Sequence, residues 1–206
     1  MTSMTTHAIK FETPDQGEET ARADLYGLLA SLFYAPPSQE LLGAIAQAPA
    51  SGDGVLQQAW NDLAATCEEA DVQKLRDEYE SLFIGVGKPE VMLYASFYLS
   101  GFLMEKPLAA LRTDLAGLGL ARDDSMPESE DHIAALCEVM RYLIGSDDVE
   151  HANLAMQKQF FNTHLQPWVG EMCEAVMHHP RAVFYSEVAQ LAKHFFEVEA
   201  QAFEMA

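Results

Sequence analysis

Basic residues are scarce in this 206-residue chain: 12 Lys and Arg stand against 32 Asp and Glu, a formal net charge of -20. So few cations cannot build a phosphate-neutralising face, which disfavours nucleic acid and anionic membrane surfaces and favours cationic partners. Cysteine is equally sparse. Cys67, Cys137 and Cys173 are far apart, each in an apolar helical pattern, and read as reduced core thiols of a cytoplasmic protein rather than a disulfide framework. No apolar run reaches bilayer length, since Leu25 to Gln39 and Val91 to Met104 both fall short. Met1 to Glu19 is polar and acidic, without the basic start and apolar centre of an export signal, and is expected to form a flexible N-terminal segment, residues 1–19. What remains, residues 20–206, suits one folded domain. At 49% hydrophobic and 21% charged, the composition is that of a globular chain with a sizeable core.

Helical periodicity runs through that domain. Leu25, Leu28, Leu29, Leu32 and Phe33 form one stripe, stopped by Pro36 and Pro37, and Ser38 caps a second segment ended by Pro49 and the turn Ser51-Gly52-Asp53-Gly54. Val72, Leu75, Tyr79, Leu82 and Phe83 make an i, i+3, i+4, i+7 face after Asp71. Val91-Met92-Leu93-Tyr94 has strand composition but no evident partner, so it reads as an extended loop. Pro107 opens a helix that Gly117 and Gly119 close, and Ile133, Leu136, Met140, Leu143 and Ile144 mark another. The C-terminal third reads as helices over Leu154 to Phe161, Pro167 to Met177 and Phe184 to Phe203. The fold class is therefore all-α, a single helical bundle of about eight or nine helices.

Enzyme signatures are missing. No glutamate has a histidine three residues on, and neither His-Glu-x-x-His nor Cys-x-x-Cys occurs, which leaves no di-iron or zinc pattern. Gly85-Val86-Gly87-Lys88-Pro89 is not a P-loop, because Leu82 and Pro89 stand where glycine and Ser or Thr are needed. His178 and His179 precede Pro180 at a helix end, where a cation complements the dipole. His164, just before Pro167, reads as a packed turn histidine or a ligand. Glu128-Ser129-Glu130-Asp131-His132 precedes an apolar helix, and acidic capping accounts for most of it. Asp131 and His132 remain open to two uses: facing a groove that binds a cationic peptide, or sharing a proton in a small hydrolase.

These segments together resemble the TorD/DmsD family of redox-enzyme maturation chaperones, to which the NarJ group is related. Asp77-Glu78-Tyr79-Glu80-Ser81-Leu82-Phe83-Ile84-Gly85 is similar to its Tyr-x-x-Leu-Phe-x-Gly segment, followed by Lys88-Pro89 and Ala95-Ser96-Phe97-Tyr98-Leu99. Glu128-x-x-Asp131-His132 is similar to its Glu-Pro-x-Asp-His signature, and His164-Leu165-x-Pro167-Trp168 and Phe184-Tyr185 follow in order. Ser129, and Leu93 ahead of the Ser-x-Tyr segment, replace prolines usual in the family.

The resemblance implies a cytoplasmic chaperone without turnover. Such a protein binds the twin-arginine signal peptide, the apo form, or both, of a molybdenum-cofactor oxidoreductase until cofactor insertion is complete. It implies a peptide-binding surface drawn from Tyr79, Leu82, Phe83, Ser96, Tyr98, Glu128, Asp131, His132, His164 and Trp168. Glu128, Asp131 and His132 would sit at its polar end, and Leu82, Phe83, Tyr98 and Trp168 on an apolar wall. Core packing explains the periodicity of those last four equally well. No cofactor is required, though the resemblance allows contact with guanine nucleotide or the molybdopterin cofactor, and either a monomer or a domain-swapped dimer. The alternatives are a GTP hydrolase using Asp131 and His132 and an acidic adaptor for a folded partner. The leading reading demands an apolar trough with a carboxylate rim.

Overall fold

The computed structural model describes residues 16–48, 54–85, 87–123, 125–146 and 153–205. Its helices are α1 (Gln16–Tyr34), α2 (Gln39–Gln47), α3 (Val55–Glu68), α4 (Val72–Tyr79), α5 (Ala95–Ser100), α6 (Lys106–Gly117), α7 (Ile133–Gly145), α8 (Leu154–His164), α9 (Gln166–Met177) and α10 (Phe184–Met205). Among the described residues this is ten α-helices and no strand. The count is above the expected eight or nine, and the helix expected through Tyr98, Leu99 and Phe102 is α5, which ends at Ser100 after only six residues. Helix α1 already includes Gln16 to Glu19, inside the segment expected to be flexible, while residues 1–15 and the Ser51-Gly52-Asp53 part of the expected turn lie outside the described residues.

Local chemistry explains most of the boundaries. Ser38 accepts the Leu41 N–H at 3.2 Å to open α2, and Asp71 accepts those of Gln73 and Lys74 at 2.9 and 3.2 Å to open α4. Helix α4 widens into a π-helical turn at Glu80–Ile84, closed by Gly85 N–H on the Glu80 carbonyl at 2.8 Å. Gly85 has φ of 61°, and a Cβ there would lie 2.3 Å from the Lys88 carbonyl oxygen, so only glycine fits the turn. The Leu82 carbonyl then accepts Val91 N–H at 3.0 Å.

Helix α1 packs along α7, α10 lies against α9 and α3, and α5 rests on α6 and α9. The core between them includes Tyr26, Leu29, Phe33, Leu136, Met140, Phe161, Met172 and Phe195, all buried. Each such side chain stabilises the fold by roughly 1.5–3 kcal/mol before ordering costs. Arg22 forks Glu199 at 2.7 and 2.8 Å, and Tyr26 donates to the same carboxylate at 3.0 Å, tying α1 to α10. All three cysteines are free and buried; burial pushes the Cys67 thiol up to about 11 and Cys173 to about 12. Among the described residues, no helix is long and apolar enough to cross a membrane.

Candidate functional site

Small side chains on facing helices leave a trough of about 490 Å³. Helix α1 supplies Ala30, Ser31 and Tyr34, helix α7 supplies Ala134, Ala135, Glu138, Val139 and Tyr142, and Leu115 stands at the end of α6. The loop between α6 and α7 closes the outline with Leu120, Arg122, Met126, Glu128, Glu130 and His132. The surface is thus mostly apolar, with three glutamates, Asp123, Arg122 and one histidine on its border. Tyr34 also donates its hydroxyl to the Met126 sulfur at 3.9 Å, joining the loop to α1.

The Asp131-His132 pair positions this loop by capping two helices at once. Val91 to Tyr94, expected to lack a partner, has one: Tyr94 forms an isolated antiparallel bridge with His132. Ile133 N–H donates to the Leu93 carbonyl at 2.9 Å and Ala95 N–H to that of Asp131 at 3.0 Å. The buried Asp131 carboxylate accepts Ser96 N–H at 2.9 Å and the Ser96 hydroxyl on one oxygen, and the Ser129 hydroxyl at 2.5 Å on the other. It therefore caps α5 across the chain. His132 caps its own helix, its Nδ1 accepting Ala134 N–H at 3.2 Å, which leaves the ring proton on Nε2.

His132 is only 4% exposed, and burial lowers its pKa to about 4 although the carboxylates of Glu128 and Asp131 pull the other way. The imidazole is neutral at ordinary pH. With Asp131 committed to serines and His132 to a backbone amide, the pair shares no proton, and the geometry gives the hydrolase alternative no support. Glu128 accepts the Tyr94 hydroxyl. Glu130 is forked by Arg112 at 3.0 and 2.8 Å, a bond that holds its carboxyl below the usual range.

Of the residues expected at the site, Glu128 and His132 line the trough; the others lie elsewhere. Leu82 and Trp168 are fully buried and Phe83 nearly so. Phe83 packs edge-on against Tyr185 with centroids 5.0 Å apart, and Trp168 stacks on Tyr98 at 5.4 Å. The expected apolar wall is core at Leu82, Phe83 and Trp168, with Tyr98 half-buried against it, because the same helical stripe fills an interior or faces a groove. Tyr79 donates to the Phe33 and Tyr34 carbonyls at 3.2 and 2.6 Å and so fixes the end of α1 beside the trough. Ser96 is buried under Asp131. His164 pairs through Nε2 with Asp114 at 2.8 Å in a separate cavity of about 220 Å³. Ala30, Tyr34, Met126, Ala135 and Val139 line the trough without standing out in the sequence. A readable signal existed in α7, where Ala135, Val139 and Tyr142 form a second i, i+4, i+7 stripe beside the core-facing one.

The profile of the nitrate reductase delta subunit family matches residues 50–174. The chaperone protein TorD of Vibrio cholerae is 28% identical over 198 residues, covering 85% of this chain and 89% of the relative. TorD of Aliivibrio fischeri is 27% identical over 201 residues, covering 87% and 93%. A solved structure from Archaeoglobus fulgidus, of a protein assigned to redox enzyme maturation, superposes with a TM-score of 0.57 at 22% identity over 93% of this chain and 99% of that one, a likeness of fold. An all-helical chain, matched by that profile along more than half its length, belongs to the nitrate reductase delta subunit family, alongside the TorD chaperones.

Proposed function

We propose that the chain is a chaperone of molybdoenzyme maturation, without turnover of its own, and that its trough grips the leader of the client's catalytic subunit. Family membership supports the chaperone role. The observation that carries the site is the trough itself: a cavity of about 490 Å³ with a mostly apolar wall bordered by carboxylates, in a chain of net charge -20. A twin-arginine leader has a cationic start and an apolar continuation. Its guanidinium groups form charge-assisted bonds with carboxylates, and its apolar residues gain from leaving water. His132 Nε2–H adds a donor for a backbone carbonyl of the bound segment.

The role requires no resident cofactor. Contact with the molybdopterin cofactor belongs, in this reading, to the client–chaperone complex, and no trough residue is assigned to guanine nucleotide. A cytoplasmic site of action fits a client held before export.

Filling the trough tests the reading. Ala135→Trp places an indole between α1 and α7, and calorimetric titration with a synthetic leader should show binding lost while circular dichroism shows the helices kept. Unchanged affinity would move the leader elsewhere.

A further inference from the structure

Four carboxylates border the trough: Asp123 accepts the Ser125 N–H and hydroxyl at 2.8 and 2.6 Å, and the three glutamates are engaged within the chain with unlike partners. Glu128 is held by the Tyr94 hydroxyl. Glu138 meets Arg141 at 3.2 Å in an i, i+3 pair whose side chains are both about half exposed. Glu130 differs from both: it is 13% exposed and has two guanidinium groups beside it. Arg112 forks it from α6. Arg122 stands with Nε 3.9 Å from Oε1, outside hydrogen-bond range, while its Nη1 donates to the Met126 carbonyl at 2.5 Å. In the same cavity, His132 is 4% exposed and its Nε2 has no partner among the described residues, a donor left for an occupant.

We propose that Glu130 is the seat for a client arginine and that Arg122 is the chain's own placeholder there, displaced as the leader docks. The inference rests on the leader-binding reading above. Arg112 uses one lone pair of each carboxylate oxygen and the Glu130 backbone N–H takes a further one, which leaves one for an incoming donor. Arg122 now contributes only a Coulombic contact to Glu130. Exchanging it for a client guanidinium costs one hydrogen bond to the Met126 carbonyl and forms a charge-assisted bond on a screened carboxylate. Until that exchange, Arg122 repels an incoming cation. An apolar segment without arginine leaves Arg122 in place. The placeholder therefore makes the trough discriminate a cation-fronted leader from any apolar stretch, and Leu115, Leu120 and Val139 take the residues that follow the arginine.

The test uses the full chain and two synthetic peptides: one with paired arginines ahead of an apolar stretch, and one with both arginines replaced by glutamine. Titration calorimetry on wild type, Arg122→Gln and Glu130→Gln gives six affinities. Glutamine at position 122 keeps a donor for the Met126 carbonyl but removes the charge. Arg122→Gln should tighten the arginine peptide by about three- to fivefold, as expected for relief of a partly exposed charge contact, with the glutamine peptide unchanged. Glu130→Gln should weaken the arginine peptide by about tenfold and erase the preference between the two. If wild type prefers the arginine peptide and both variants keep that same preference, the seat lies elsewhere and leader binding stands. If neither peptide binds wild type or Arg122→Gln, both readings fall together.

Discussion

A neutral, nearly sealed histidine at the trough's edge ties folding to pH. An unfolded His132 titrates at its ordinary value near 6.5, whereas burial lowers the folded value to about 4. Above pH 6.5 neither state is protonated and His132 adds no pH dependence. As pH falls from 6.5 toward 4 the unfolded chain takes up the proton first, so stability drops by about 3 kcal/mol across that window. His132→Asn keeps a cap acceptor for Ala134 N–H without titrating, so thermal melts between pH 7 and 4 should show a shallower decline for the variant. Equal slopes would place the titrating group elsewhere. The adjacent Asp131 and His132 were legible as helix-start chemistry. That Asp131 serves a different helix from His132 was not, because Ser96 is 35 residues away in the chain.

Among elements, α10 shows a cap that no local pattern announces. Its first amides, with no acceptor of their own in the turn before, converge on Glu78 of α4: Val183 and Tyr185 N–H donate at 2.9 Å and Phe184 N–H at 3.3 Å. Glu78→Ala should therefore cost about 1–2 kcal/mol in urea unfolding, with α10 the first helix to lose amide-exchange protection. Glu78 lies in the segment that carries the family resemblance, and its part there is structural. Periodicity gave the helices well, since a 3.6-residue stripe is local. It could not say which stripe meets another helix and which borders a trough. Leu82, Phe83 and Trp168 are large and draw the eye to a wall they do not build, while Ala30, Ala134 and Ala135 make the space by being small. An alanine leaves no mark in a hydrophobicity pattern that distinguishes a void from a close contact.

At the scale of the whole molecule, charge acts at a distance that no single pair explains. A chain of net charge -20 attracts any cationic peptide, the proposed leader included, before contact. Stopped-flow association should slow markedly from low to 0.5 M salt, with dissociation changing less; a salt-independent rate would mean that the apolar wall alone drives encounter. The acidity was visible from composition, but the match between rim and trough was not, because α1, α6 and α7 meet only in three dimensions. One wall residue has a wider bearing. Met126 is an unbranched thioether held to Tyr34 only through a weak sulfur contact at 3.9 Å. Its rotamers interconvert cheaply, so the lining at that point yields to the outline of an occupant instead of dictating it. Such a lining can then accommodate occupants of unequal bulk, which leaves discrimination between them to the charged border.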